Sequence, residues 1–177
     1  IKVSAGNGSA RLDADGDIAL TSLTSNKDVV ALAGLGIMAT VASAGRDLNF
    51  RAEGGSATGT TWSAGEDLAV LTLGSNSDIR STMASATTGA LTMNAGGSLS
   101  LSMASIPNAL SLTAAKAMSL MNVSSTNSTV NLVSGQDMTL QSAKAKGLLS
   151  MTAGTGIWAS SLVSATANID AVTALGS

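Results

Sequence analysis

Apolar residues recur along this chain in interleaved series. From Ile79 onward, Ile79, Leu99, Met118, Met138 and Ile157 fall 20, 19, 20 and 19 residues apart. A second series, Leu91, Leu110, Val130, Leu149 and Ile169, is spaced 19, 20, 19 and 20, each member 11 or 12 residues after its counterpart. Toward the start, Ile18 and Ile37 lie 19 apart, and Val29, Leu48 and Leu68 lie 19 and 20 apart. Two residues beyond the first series stand Leu101, Leu120, Leu140 and Ala159; two beyond the second stand Met93, Leu112, Leu132, Met151 and Ala171. Apolar residues at i and i+2 with polar residues between them predict strands. A third series, Leu23, Ala42, Ala84, Ala104, Val123, Ala143 and Leu162, follows five residues after the first and marks a further inward corner. Each unit of 19 or 20 residues thus predicts two strands of about five residues and a shorter third segment, joined by turns rich in Gly, Ser and Asn.

A short strand with one apolar face cannot bury it alone, whereas stacked units can pair each strand in parallel with its equivalent one unit later. The expected fold is therefore all-β: a parallel β-helix, or solenoid, of about nine coils forming one domain over 1–177. At roughly 4.8 Å per coil the rod is on the order of 40 Å long. A helical reading fails, because no i, i+3, i+4 stripe is sustained. Between Phe50 and Asp78 the register is lost, since Leu48, Leu68 and Ile79 are spaced 20 and then 11. An irregular coil or loop is expected around 51–78, with Glu53 and Trp62 as candidate partner-binding residues, because solenoid loops are where binding concentrates.

Acids gather at one structural position. Asp17, Asp28, Asp47, Asp67, Asp78 and Asp137 each stand immediately before a ladder residue, six of the nine aspartates. The stretch "LDADGDIAL" places Asp13, Asp15 and Asp17 on alternate residues and makes them a calcium candidate. An EF-hand loop needs glycine sixth and glutamate twelfth; counted from Asp13, glycine is fourth and Thr24 is twelfth. Solvated turn acids are the preferred reading, with no cofactor expected.

Composition sharpens this picture. Of 177 residues 45% are apolar, yet Phe50, Trp62 and Trp158 are the only aromatics, so the core must be aliphatic. Charged residues make up 11%, well below the roughly 25% usual for soluble domains. A net charge of −2 gives no argument for nucleic acid. With neither Cys nor His, thiol chemistry and the commonest general base are missing. The uncharged run Val29 to Gly45 is long enough to suggest a membrane span, but its glycines and hydroxyls, and a similar run from Ser81 to Ala115, argue against one. No signal peptide is visible, and the chain is expected to be a piece of something longer.

The segments "SAGRDLNF" (Ser43 to Phe50), "SAGEDLAV" (Ser63 to Val70), "NAGGSLSL" (Asn94 to Leu101) and "VSGQDMTL" (Val133 to Leu140) resemble the A-G-x-D-L-x-L repeat of filamentous haemagglutinin-type adhesins. The resemblance covers most of the chain. It implies a right-handed β-helical shaft of a long bacterial protein exported by two-partner secretion. It also implies a secreted or cell-surface location and a role in adhesion, aggregation or contact-dependent delivery. Its partners would be the rest of its own chain or head-to-tail copies, and a host or neighbouring-cell surface. With no secretion domain or effector motif seen among these residues, the segment is expected to be shaft only.

The first rival is a secreted β-helix that binds or degrades polysaccharide. Degradation calls for paired acids in a groove, whereas here the acids are spread over turns, so no enzyme is expected. An ice-binding solenoid would need a regular Thr face, but one outward series reads Ala19, Ser100, Ser119, Thr139, Trp158. A second outward series, Thr24, Ser43, Ser85, Ser105 and Ser124, breaks at Lys144 and Val163, and its hydroxyls are expected to satisfy turn backbone groups.

Overall fold

The computed structural model describes residues 1–174. Its strands, in chain order, are β1 (Lys2–Ala5), β2 (Ala10–Ala14), β3 (Ile18–Ser25), β4 (Val29–Ala33), β5 (Ile37–Ala44) and β6 (Leu48–Ala52). Next come β7 (Ala57–Ala64), β8 (Leu68–Thr72), β9 (Ile79–Ala86), β10 (Leu91–Ala95), β11 (Leu99–Ile106) and β12 (Leu110–Ala114). The last are β13 (Met118–Ser125), β14 (Val130–Ser134), β15 (Met138–Ala145), β16 (Leu149–Ala153), β17 (Ile157–Ser164) and β18 (Ile169–Thr173). Odd-numbered strands form one nine-stranded parallel sheet and even-numbered strands form another. The chain is a β-solenoid of about nine coils.

Pairing follows the sequence ladders: Leu99 lies opposite Met118, Met118 opposite Met138, Leu91 opposite Leu110, and Leu110 opposite Val130. Both ladders are buried between the sheets as far as Met138 and Leu149, with Ile157 half-buried and Ile169 exposed in the last coil; each buried side chain contributes roughly 1.5 to 3 kcal/mol relative to exposure. The short strands alternate in and out over five residues. The long strands differ from the expected arrangement of two strands and a separate third segment, because the third apolar series continues the same strand as the first. In β13, Met118 and Leu120 point inward, Met121 and Asn122 both point outward, and Val123 and Ser125 point inward again. Two successive outward residues reverse the alternation, so the chain turns a corner inside the strand without needing glycine. Consistent with this, Ser102 and Met121 drop out of the pairing between β11 and β13.

The uncharged run from Val29 forms β4 and β5, and its inward Val29, Ala31, Ile37, Ala39 and Ala42 explain the missing charge. No helix among the described residues is long and apolar enough to cross a membrane.

The region around 51–78 folds as a coil, not as a loop. Ala57 takes the ladder position between Ile37 and Ile79. The turn at 73–78 is extended to six residues and that at 53–56 to four, against three in the turn at 34–36. The longest of these is fastened down. Thr72 Oγ1 donates to the Ser77 carbonyl at 2.6 Å, the Ser77 amide donates to the Gly74 carbonyl at 2.8 Å, and Lys116 Nζ reaches over Gly96 and Gly97 to Asn76 Oδ1.

Trp62 occupies the third inward ladder between Ala42 and Ala84, where other coils carry Leu, Ala or Val. It is fully buried, so its assignment to an exposed partner-binding loop is corrected. The ring fits because Ala39, Gly59 and Ser81 stand at the site that Leu20, Leu101, Leu120 and Leu140 occupy in other coils. A Cβ on Gly59 would lie 2.3 Å from the indole Nε1 and 2.3 Å from the Ala39 carbonyl oxygen. The pairing of Ala39 with Gly59 is missing between β5 and β7, in addition to the corner rung of Thr40 and Thr60. The indole N–H takes it over, donating to the Ala39 carbonyl at 3.0 Å. Phe50 meets Trp62 edge to face, with centroids 5.5 Å apart and planes at 84°.

Candidate functional site

The turn aspartates are the first candidates, and the structure gives most of them a definite partner. The amide of a turn's last residue stands beside the side chain of the equivalent residue one coil earlier. Asp17 Oδ1 accepts the Gly36 amide at 2.8 Å, Asp47 Oδ1 the Asp67 amide at 3.1 Å, Asp67 Oδ1 the Ala90 amide at 2.7 Å, and Asp78 Oδ1 the Ser98 amide at 2.8 Å. Ser56 Oγ does the same for the Asp78 amide at 3.0 Å. These acids are therefore coil-to-coil clamps, which corrects the expectation of merely solvated side chains. A carboxylate accepting a backbone amide makes a charge-assisted bond, stronger than its neutral counterpart.

Two of the acids also hold arginines. Asp28 accepts from Arg46 Nε at 3.0 Å and from its NH2 at 2.9 Å, one coil later. The Arg46 hydrogen bonds are the main reason that the Asp28 carboxyl lies below its ordinary value. Burial pushes the Asp78 carboxyl up, but the Ser98 amide and the Arg80 guanidinium, 2.7 Å away, outweigh it and the net direction is down.

The calcium candidates do not converge. Asp13 points outward from β2 toward Arg11 at 3.4 Å, and Asp17 is engaged by the Gly36 amide. Asp15 lines a groove of about 320 Å³ with Asp13, Leu32, Gly34, Arg51 and Glu53. Glu53 is exposed and pairs with Arg51 at 3.1 Å. Glu53 and Trp62, proposed together, are thus separated into a surface turn and the core. Among the described residues no group of three or more acidic side chains is placed to hold a metal ion.

The outward hydroxyl series also departs from expectation. Ser63 Oγ donates to Ser43 Oγ at 3.1 Å, Ser124 to Ser105 at 3.4 Å, and Thr24 Oγ1 to Ser4 Oγ at 3.2 Å. These hydroxyls bond along the rod. Turn carbonyls are satisfied instead by Ser25, Ser125 and Ser164, which donate to Gly8, Asn108 and Gly147 of the preceding coil at 2.6 to 2.7 Å.

No protein-family model, curated protein or solved structure matches the chain. Its surface is left to speak through its own chemistry. One outward feature stands apart: Trp158, on β17, is 58% exposed. It borders a groove of about 490 Å³ with Ser119, Met121, Thr139 and Gln141. The sequence series had placed Trp158 on the outside without assigning it to a site; the signal that could have done so was its being the one aromatic residue in that series.

Proposed function

We propose that this chain is a shaft segment of a secreted or surface-exposed bacterial filamentous adhesin. It acts as a rigid spacer that holds an adhesive, aggregating or delivering end away from the cell. The observation that carries this reading is the use made of the repeated motif. In "SAGRDLNF" and "SAGEDLAV" the aspartates, Asp47 and Asp67, clamp successive coils through backbone amides, so the residues that repeat are those that make the rod continuous. On this reading its partners are further coils of the same chain or head-to-tail copies. A host or neighbouring-cell surface would be met elsewhere on the filament.

Electron microscopy of the intact native product, on cells and in culture fluid, tests this. Thin filaments many times longer than this segment's own rod are expected; compact particles a few nanometres long would refute the spacer role. The alternative of a secreted polysaccharide-binding β-helix draws support from one feature, the exposed Trp158.

A further inference from the structure

We infer that the outward face around Trp158 is a binding subsite for a neutral sugar. This goes beyond the spacer role and deepens the polysaccharide-binding alternative. The chain contains two tryptophans, and the fold uses them oppositely. Trp62 is sealed in the core, while Trp158 is 58% exposed at a position where paired coils carry Thr139, Ser119 and Ser100.

The indole is seated, not loose. An added Cβ on Gly156 would lie 2.6 to 3.1 Å from three carbons of its six-membered ring, so the ring rests against that glycine, where any larger residue would displace it. Gly156 is itself fixed, because its carbonyl accepts the Met138 amide at 2.8 Å. A platform held in place before binding loses little entropy when occupied.

The surroundings select the ligand. The groove beside the ring is lined by the exposed Ser119, Met121, Thr139, Gln141 and Ser160, together with four aliphatic residues, Leu120, Leu140, Ile157 and Ala159. It offers hydroxyls, an amide and a thioether, and no charge. A sugar ring matches this composition: its C–H face stacks on an aromatic plane while its hydroxyls exchange hydrogen bonds with neutral donors and acceptors. A phosphorylated or sulfated ligand would find no cation in the lining, and a peptide would find no charged partner. Thr139 and Ser119 lie on successive rungs beside Trp158, roughly 4.8 Å apart, so hydroxyls are offered along the rod axis as an extended chain would require.

The test uses the two tryptophans against each other. Acrylamide quenching of wild-type fluorescence separates an accessible component, Trp158, from a shielded one, Trp62. The probes are hexaoses of the gluco-, galacto-, manno- and N-acetylglucosamine series. At least one is expected to shift the accessible emission, protect it from quenching and give a saturable isotherm by calorimetry. Trp158→Ala should weaken that binding by about tenfold or more, Trp158→Phe should retain part of it, and Gln141→Ala should weaken it less than Trp158→Ala. Both positions are exposed, so the melting temperature should not move. Absence of a response to every hexaose overturns the inference. So does binding that survives Trp158→Ala, or sugar-independent self-association that Trp158→Ala abolishes, which would assign the face to a second copy. Filament length in microscopy is unaffected by any of these results, so the spacer role stands or falls separately.

Discussion

The coil that carries Trp62 and the coils from β11 to β16 share a backbone but fill it differently. In the later coils each inward position holds its own aliphatic residue: Leu99, Leu101 and Ala104, then Met118, Leu120 and Val123. In the Trp62 coil the corresponding residues are Ala57, Gly59 and Trp62. One ring takes the volume that two leucine-sized side chains would occupy, and Ala39 and Ser81 on the neighbouring coils give way to it. Interiors are packed to nearly crystalline density, so what a solenoid conserves is volume between coils, not residue size at each rung.

The strongest challenge to this comparison is a charge in the regular part. Leu110→Asp places a carboxylate among buried aliphatics with no partner, at an expected cost of more than about 4 kcal/mol. The variant should be insoluble or opened around β12 by limited proteolysis. A soluble variant with wild-type melting would break the ladder account.

Next in size is the exchange inside the odd coil. Trp62→Ala should cost about 3 to 5 kcal/mol through the cavity it leaves. Gly59→Leu should also destabilise, because its Cβ alone would clash with the Trp62 indole and the Ala39 carbonyl. Combined, the two recreate the Leu and Ala of a regular coil. The double variant should be more stable than Trp62→Ala alone, with a coupling of at least about 1 kcal/mol by chemical denaturation. Strict additivity would mean that the volumes are not exchanged.

The aspartate clamps lie in the first half of the rod, from Asp17 to the Ser98 amide, and should respond more mildly. Asp78→Ala leaves the Ser98 amide unpaired, an expected loss of about 1 to 3 kcal/mol, with faster hydrogen exchange at Ser98. Asp170→Ala, on the exposed β18, should change little and serves as the control.

Acid should have the smallest effect near neutrality. Asp28 and Asp78 both have carboxyls lowered from the ordinary value of 3.8. Their contribution is fully present above that value and is lost as pH falls through their lower folded-state values. Denaturation midpoints should be flat from pH 7 to about 5 and should fall below about pH 4. Asp28→Asn, which weakens the Arg46 pair, should flatten part of that fall.

The ladders were legible because the inward period survives in one dimension: Leu91, Leu110, Val130 and Leu149 need only be counted. The fusion of the third apolar series with the first was not legible. A corner made of two outward residues, such as Met121 and Asn122, leaves no Gly or Pro to mark it. Trp62 was misplaced for a related reason. Its compensating residues, Ala39, Gly59 and Ser81, are spread over three coils, and no single one of them announces a ring. The aspartates were visible as a repeated position, but their partner is an amide about 20 residues later, which only stacking brings close. Trp158 was correctly placed outside, yet its seat on Gly156 depends on ring orientation, about which the sequence is silent.

The central claim is that one continuous ladder runs through the chain, the 51–78 region included. Hydrogen exchange by mass spectrometry with overlapping peptides tests it most directly. The account predicts that β7 and β8 are protected as strongly as β13 and β14, with faster exchange confined to exposed turn amides such as those of Ser75 and Asn76. Exchange of the whole 51–78 segment at the rate of an open loop would contradict it.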